Sequence, residues 1–130
     1  KFYFPYTPNW HGVAAIHQAV KLILDEGLEV VFKRHETVAN HCRAELESMG
    51  LRLFPTSGAI SSPTVTAVYV PEKFSWSELD HRFRDKGLAV GGSYGSLAGK
   101  IFRLGHMGSQ ASMGLVDKAL KVIGEVVTSS

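Results

Sequence analysis

The sequence predicts an α+β domain: a small, mainly antiparallel sheet with helices packed on one face. Three observations point there. Apolar residues recur at helical spacing in four segments, and a β-branched run between two prolines reads as a strand. The order of segments also lacks the strand–helix–strand alternation of a parallel sheet. At 130 residues and 45% hydrophobic, the chain can bury one core and not two.

Each element has its own signal. After Pro8 and the capping residue Asn9, apolar positions 13, 16, 20, 23 and 24 predict a helix over Trp10 to Glu26 with one buried face. Gly27 interrupts it. A second helix is expected from about Leu28 to Met49, with a stripe at Val31, His35, Val38, Cys42, Leu46 and Met49 and a stop at Gly50. Leu51 to Phe54 is a short strand candidate ahead of the turn-rich PTSGAISSP. TVTAVYV, Thr64 to Val70, is the clearest strand. Ser75 followed by Glu78 is a capping box that opens a helix to about Lys86, with Leu79 and Phe83 inward and Gly87 ending it. Leu88 to Val90 and Lys100 to Leu104 read as strands on either side of a glycine-rich segment. A last helix runs from about Ser112 to Val127, its stripes Leu115/Ala119/Val122/Val126 and Val116/Leu120/Ile123/Val127 forming a broad apolar face.

Composition narrows the function. With 14 basic against 12 acidic residues and a net charge of +2, no electrostatic case exists for nucleic acid or an anionic membrane as main partner. No apolar run approaches the roughly 18 residues that span a bilayer. One cysteine, Cys42, excludes an internal disulfide framework and suits a reducing compartment, so a cytoplasmic location is expected. The opening KFYFPYTPNW has no initiator Met, signal or transit sequence and reads as a connection from something upstream; a fragment is expected.

The stretch GGSYGSLAGKIFRLGHMG, Gly91 to Gly108, holds six of the 13 glycines. It is not a phosphate loop. The pattern G-x-x-x-x-G-K-S/T would need glycine where Tyr94 stands and a hydroxyl residue where Ile101 stands; G-x-G-x-x-G also fails on spacing. Both motifs require a helix directly after the glycines, whereas KIFRLG alternates like a strand. Alternation puts Phe102 and Leu104 on one face and Ile101 and Arg103 on the other. With the first pair inward, Arg103 points away from the core. Two readings of it stay open: a guanidinium held to grip a carboxylate with two parallel hydrogen bonds, or an arginine solvated or ion-paired on an exposed face.

The six histidines show no metalloprotease spacing, and no cysteine joins them in a zinc pattern; no metal site is expected. His17 and His35 lie on apolar stripes and read as core or interdomain packing. His106 either lines a cleft with Arg103 or packs in a turn. Cys42, on the apolar stripe of a helix, reads as a buried structural cysteine and not as a nucleophile.

LILDEGLEVVFKRH, SPTVTAVYVP and GGSYGSLAGKIFRLGHMG, in this order before a last helix, resemble the C-terminal part of class V pyridoxal-phosphate aminotransferases. The nearest branch is that of the alanine–glyoxylate and serine–pyruvate or serine–glyoxylate enzymes. The most specific piece is G-x-L-A-G-K-I/V-F-R-I/L-G-H-M-G, seen from Gly95 to Gly108; the TPN opening and the EGLE turn add to it.

The resemblance implies a fold type I enzyme, normally a homodimer, acting on small amino acids and 2-oxo acids with pyridoxal 5'-phosphate as cofactor. It implies that residues 1–27 are a segment from the large domain plus an interdomain helix, and that 28–130 form the C-terminal small domain. The Schiff-base lysine would then lie upstream, so no catalytic residue is assigned in this chain and the chain alone is expected to be inactive. Two positions carry over: Arg103 for the substrate α-carboxylate and Thr7 for the cofactor phosphate of the neighbouring subunit. Where some members have a tyrosine three residues before that threonine, this chain has Phe4, without the hydroxyl; Tyr6 is the alternative. Other readings are another class V enzyme, such as a desulfurase or lyase, or an independent α+β ligand-binding or dimerisation module.

Overall fold

A computed structural model describes residues 6–56 and 58–128. It contains four α-helices, α1 (Trp10–Glu26), α2 (Leu28–Ser48), α3 (Trp76–Asp85) and α4 (Met113–Thr128), and two strands, β1 (Val65–Tyr69) and β2 (Ile101–Gly105). The chain divides into two compact units, Lys1–Lys33 and Arg34–Ser130, and the division falls within α2. Among the described residues, no helix is long and apolar enough to cross a membrane.

In the first unit, Asn9 caps α1 by accepting a hydrogen bond from the Gly12 amide at 3.0 Å. The apolar stripe expected to be buried is not: α1 buries none of its residues, and Val13, Ile16, Val20, Ile23 and Leu24 are all exposed. Helical spacing identifies a face built to meet apolar surface, but not where in the molecule that surface lies. His17 is exposed as well, so of its two readings, core or interdomain packing, the core one does not hold.

The second unit holds the core. β1 and β2 pair antiparallel with Thr66 opposite Leu104, Ala67 opposite Arg103 and Val68 opposite Phe102. Thr66, Val68, Phe102 and Leu104 therefore share the face turned to the helices, and all four are buried. Against this face lie Val38, Cys42 and Leu46 of α2, Leu79 and Phe83 of α3, and the Val116/Leu120/Ile123/Val127 stripe of α4. Of the second α4 stripe, Ala119 and Val126 are buried while Leu115 stays exposed.

The two outer strands expected from sequence are reduced to single bridges, Leu53 to Val68 and Gly91 to Arg103. Arg52 and Phe54 still run beside β1, through hydrogen bonds from Tyr69 N to Arg52 O and from Phe54 N to Ala67 O. The backbone bends at Phe54 and Pro55, and the pairing ends there. On the other side, Leu88 to Val90 do not form a strand; backbone pairing with β2 begins only at Gly91. The preceding turn consumes this segment, because Leu88 N returns to Phe83 O and Gly87 N to Arg84 O, with Gly87 at φ +79°. That left-handed turn closes α3 and suits glycine.

At the other end of α3, Ser75 Oγ accepts the Glu78 amide at 3.2 Å. Only half of the expected capping box forms, because the Glu78 carboxylate turns outward to Arg82 at 2.7 Å.

Candidate functional site

Arg103 sits in the middle of β2, half-buried, on the face opposite the helices. Its surroundings are built almost wholly from the glycine segment. The Arg103 amide donates to Gly91 O at 2.7 Å, and the Gly91 amide donates back to Arg103 O at 3.0 Å. One residue on, Gly92 O accepts a hydrogen bond from Arg103 Nε at 3.0 Å. The same two glycines thus bind both the backbone and the side chain of this arginine. The Tyr94 ring faces the guanidinium with its centroid 5.8 Å from Cζ, within cation–π range.

No carboxylate pairs with Arg103 among the described residues; its one side-chain hydrogen bond is to Gly92. Nε is engaged, so the edge of the guanidinium formed by the two Nη atoms remains to be used. That edge matches the two oxygens of a carboxylate. Of the second reading open at the level of sequence, an arginine solvated or ion-paired, only the ion pair lacks a partner among the described residues. The glycines act as backbone framing and not as a phosphate cradle.

His106 does not join this site. It is completely buried, with Nδ1 3.2 Å from Pro63 O and Nε2 2.8 Å from Thr66 Oγ1. Because a carbonyl can only accept, Nδ1 carries the proton and Nε2 accepts from the Thr66 hydroxyl. Burial lowers its pKa below the ordinary 6.5 despite the carbonyl bond. Strand parity explains the placement: residues 102, 104 and 106 turn to the core while 103 turns away. His106 is thus a turn-packing residue.

His35 and Arg34, two residues not singled out for the site, fix the loop after β2. His35 Nε2 accepts from the Gly108 amide at 2.9 Å, and Arg34 Nη1 donates to Gly108 O at 2.8 Å and Ala111 O at 2.9 Å. These contacts join positions more than 70 residues apart; no local spacing signals them. Trp76, also missed, packs directly on Gly92.

Thr7 lies in the other unit, exposed, two residues before the α1 cap. Tyr6 beside it is exposed too, and Phe4 lies outside the described residues. Cys42 is fully buried; burial raises its pKa, outweighing the hydrogen bond it shares with Thr66. A thiol so placed is no nucleophile, and a desulfurase reading that needs one on a mobile loop finds no support. No group of three or more histidine, cysteine or acidic side chains able to hold a metal occurs among the described residues.

Comparison with known proteins gives no match to any family model. Individual relatives do match. An uncharacterized aminotransferase of Methanocaldococcus jannaschii is 41% identical over 97% of this chain and 34% of its own length. The alanine–glyoxylate aminotransferase of Oryctolagus cuniculus is 32% identical over 89% of this chain and 30% of its own. The crystal structure of pyridoxamine–pyruvate aminotransferase from Mesorhizobium loti superposes with a TM-score of 0.92 at 33% identity, over 99% of this chain and 33% of that one.

The chain belongs to the class V aminotransferases.

It spans about a third of the length of the curated relatives it matches, and its α+β architecture is that of the C-terminal domain of these enzymes. Membership brings pyridoxal phosphate into question, and the described residues fit that group in part. The Thr7 hydroxyl near the start of α1 suits a phosphate, since amides and dipole at a helix N-terminus favour an anion. The Gly12 amide is already taken by Asn9. Every described lysine is exposed, and none occupies the desolvated setting that activates a Schiff-base amine.

Proposed function

We propose that this class V aminotransferase chain serves as the C-terminal small domain of an enzyme that moves an amino group from a small amino acid to a 2-oxo acid. Alanine or serine is the donor, and glyoxylate or pyruvate the acceptor. The observation that carries the reading is the mounting of Arg103: Nε tied to Gly92 O, no carboxylate paired with it among the described residues, and its Nη edge left to meet a ligand. A substrate α-carboxylate is the planar anion common to every donor and acceptor named. Held by two parallel hydrogen bonds, it fixes the orientation of the reacting carbon before chemistry begins.

Pyridoxal phosphate, when bound, supplies the electron sink for the transfer. This chain's share is binding and orientation. Thr7 offers its hydroxyl to the cofactor phosphate of a neighbouring subunit in a homodimer. The Schiff-base lysine belongs to a large domain, so this chain alone is inactive. Residues 1–27 join that large domain to the small domain, 28–130, and the exposed apolar stripe of α1 supports such a role.

The test is Arg103→Ala in the full-length enzyme. A charge-assisted hydrogen-bonded contact contributes about 1.5–3 kcal/mol, which converts to a loss of about ten- to 150-fold in kcat/KM for alanine or serine. Unchanged kinetics with alanine, serine and glyoxylate would remove Arg103 from the site.

A further inference from the structure

The aim of Arg103 depends on one carbonyl, Gly92 O, and the position of that carbonyl has a visible cause. Trp76 lies against Gly92 so closely that a Cβ there would fall 2.8 Å from indole Nε1, 3.0 Å from Cε2 and 3.1 Å from Cζ2. The indole occupies the place of a side chain at position 92. Trp76 is itself held: it stacks nearly parallel on Phe102, with centroids 6.1 Å apart and planes at 11°, and Phe102 meets the edge of Phe83 at 5.7 Å. It is also the first residue of α3, directly after the Ser75 cap. A rigid path thus runs from the core through Phe102 and Trp76 to Gly92, and back to the arginine next to Phe102.

We infer that Trp76 and Gly92 are positioning residues for the substrate carboxylate, acting through Arg103; this rests on the reading of Arg103 given above. Their effect is directional. A guanidinium can meet a carboxylate side-on, through Nε and one Nη, or end-on, through both Nη atoms. The Gly92 carbonyl takes Nε at 3.0 Å and thereby selects the end-on approach. It also removes rotamer freedom that Arg103 would otherwise lose when substrate arrives. Gly91 complements it, since a Cβ there would lie 3.5 Å from Nη2. That is ordinary van der Waals contact, so position 91 flanks the guanidinium edge, while position 92 sets its angle.

The experiment uses the full-length enzyme with Gly92→Ala, Trp76→Leu, Arg103→Ala and their pairwise combinations, each checked for a near-native thermal midpoint. Gly92→Ala drives a methyl into the indole and shifts the carbonyl. KM for the amino donor should rise about ten-fold, with kcat changed far less. Trp76→Leu, which needs no new space, should raise KM in the same way and keeps the test decisive should Gly92→Ala not fold. The pair Gly92→Ala/Trp76→Leu should resemble Trp76→Leu alone, because the clash is gone. On an Arg103→Ala background neither substitution should raise KM further.

A KM unmoved by both Gly92→Ala and Trp76→Leu, while Arg103→Ala raises it, overturns the positioning role and leaves Arg103 as the carboxylate site. Losses that multiply with Arg103→Ala do the same. If Arg103→Ala leaves KM unchanged, the underlying reading falls and this inference falls with it.

Discussion

Replacing Thr66 with valine exchanges one buried hydroxyl for a methyl of nearly the same size. It leaves no cavity, so the effect reports a polar interaction. Thr66 is 3% exposed and His106 is 0% exposed, so water cannot readily take over. In the native protein the Thr66 hydroxyl donates to His106 Nε2 at 2.8 Å, while Nδ1 is held by Pro63 O. Without the hydroxyl, Nε2 is a buried acceptor with no donor. Such a group costs about 1–3 kcal/mol, more than the net gain of an average hydrogen bond. Urea denaturation followed by fluorescence of Trp76, half-buried on Phe102, should show a lower midpoint at unchanged slope. The double variant Thr66→Val/His106→Leu removes both polar partners and should recover part of the loss, since the exposed Pro63 lets its carbonyl turn to water.

The same pair fixes a pH dependence. Histidine in the unfolded chain titrates near 6.5, and burial holds His106 below that value in the folded state. Its contribution is thus fully present above about pH 6.5. As the pH falls below that, the unfolded chain takes up a proton that the folded one resists, so stability declines until the pH passes the folded pKa. His106→Leu should lose less stability than the parent over the same acid range. A Thr66→Val midpoint equal to the parent's, or an acid profile identical in His106→Leu, would refute the bonding scheme.

Two further outcomes follow from the packing. Cys42, fully buried with its pKa raised by burial, should react with a thiol reagent only as fast as the domain opens, and urea should accelerate the labelling; rapid stoichiometric labelling of the native protein would contradict its burial. Ser75→Ala removes the single side-chain cap of α3 and should cost about 0.5–2 kcal/mol in urea denaturation. No change would mean that Trp76 packing alone fixes that end of the helix.

Helices were legible in the sequence because their signals are local. Asn9 and Ser75 mark the starts of α1 and α3, and Gly27 falls between α1 and α2. The facing of β2 was legible for the same reason: a period of two sends Phe102 and Leu104 inward and Arg103 outward. The outer strands were not, because a strand exists only where its backbone finds a partner. Whether Leu88 to Val90 pair with β2 depends on how far the turn after α3 reaches. The α1 stripe announced a buried face, yet burial is a property of two surfaces and a sequence pattern describes only one.

By itself, then, the sequence determined the α+β class, the helices, the family and the arginine worth examining, since each is written in spacing or in a contiguous motif. Only the tertiary structure decided what surrounds that arginine. It brought Gly91 and Gly92 against β2, set Trp76 of α3 on Gly92, and sent His106 into the core with Thr66. Trp76 and Gly92 are 16 positions apart in the chain and carry no joint pattern. Their contact arises when α3 and the glycine segment both pack beside Phe102, and packing of that kind is decided by the shape of the whole domain.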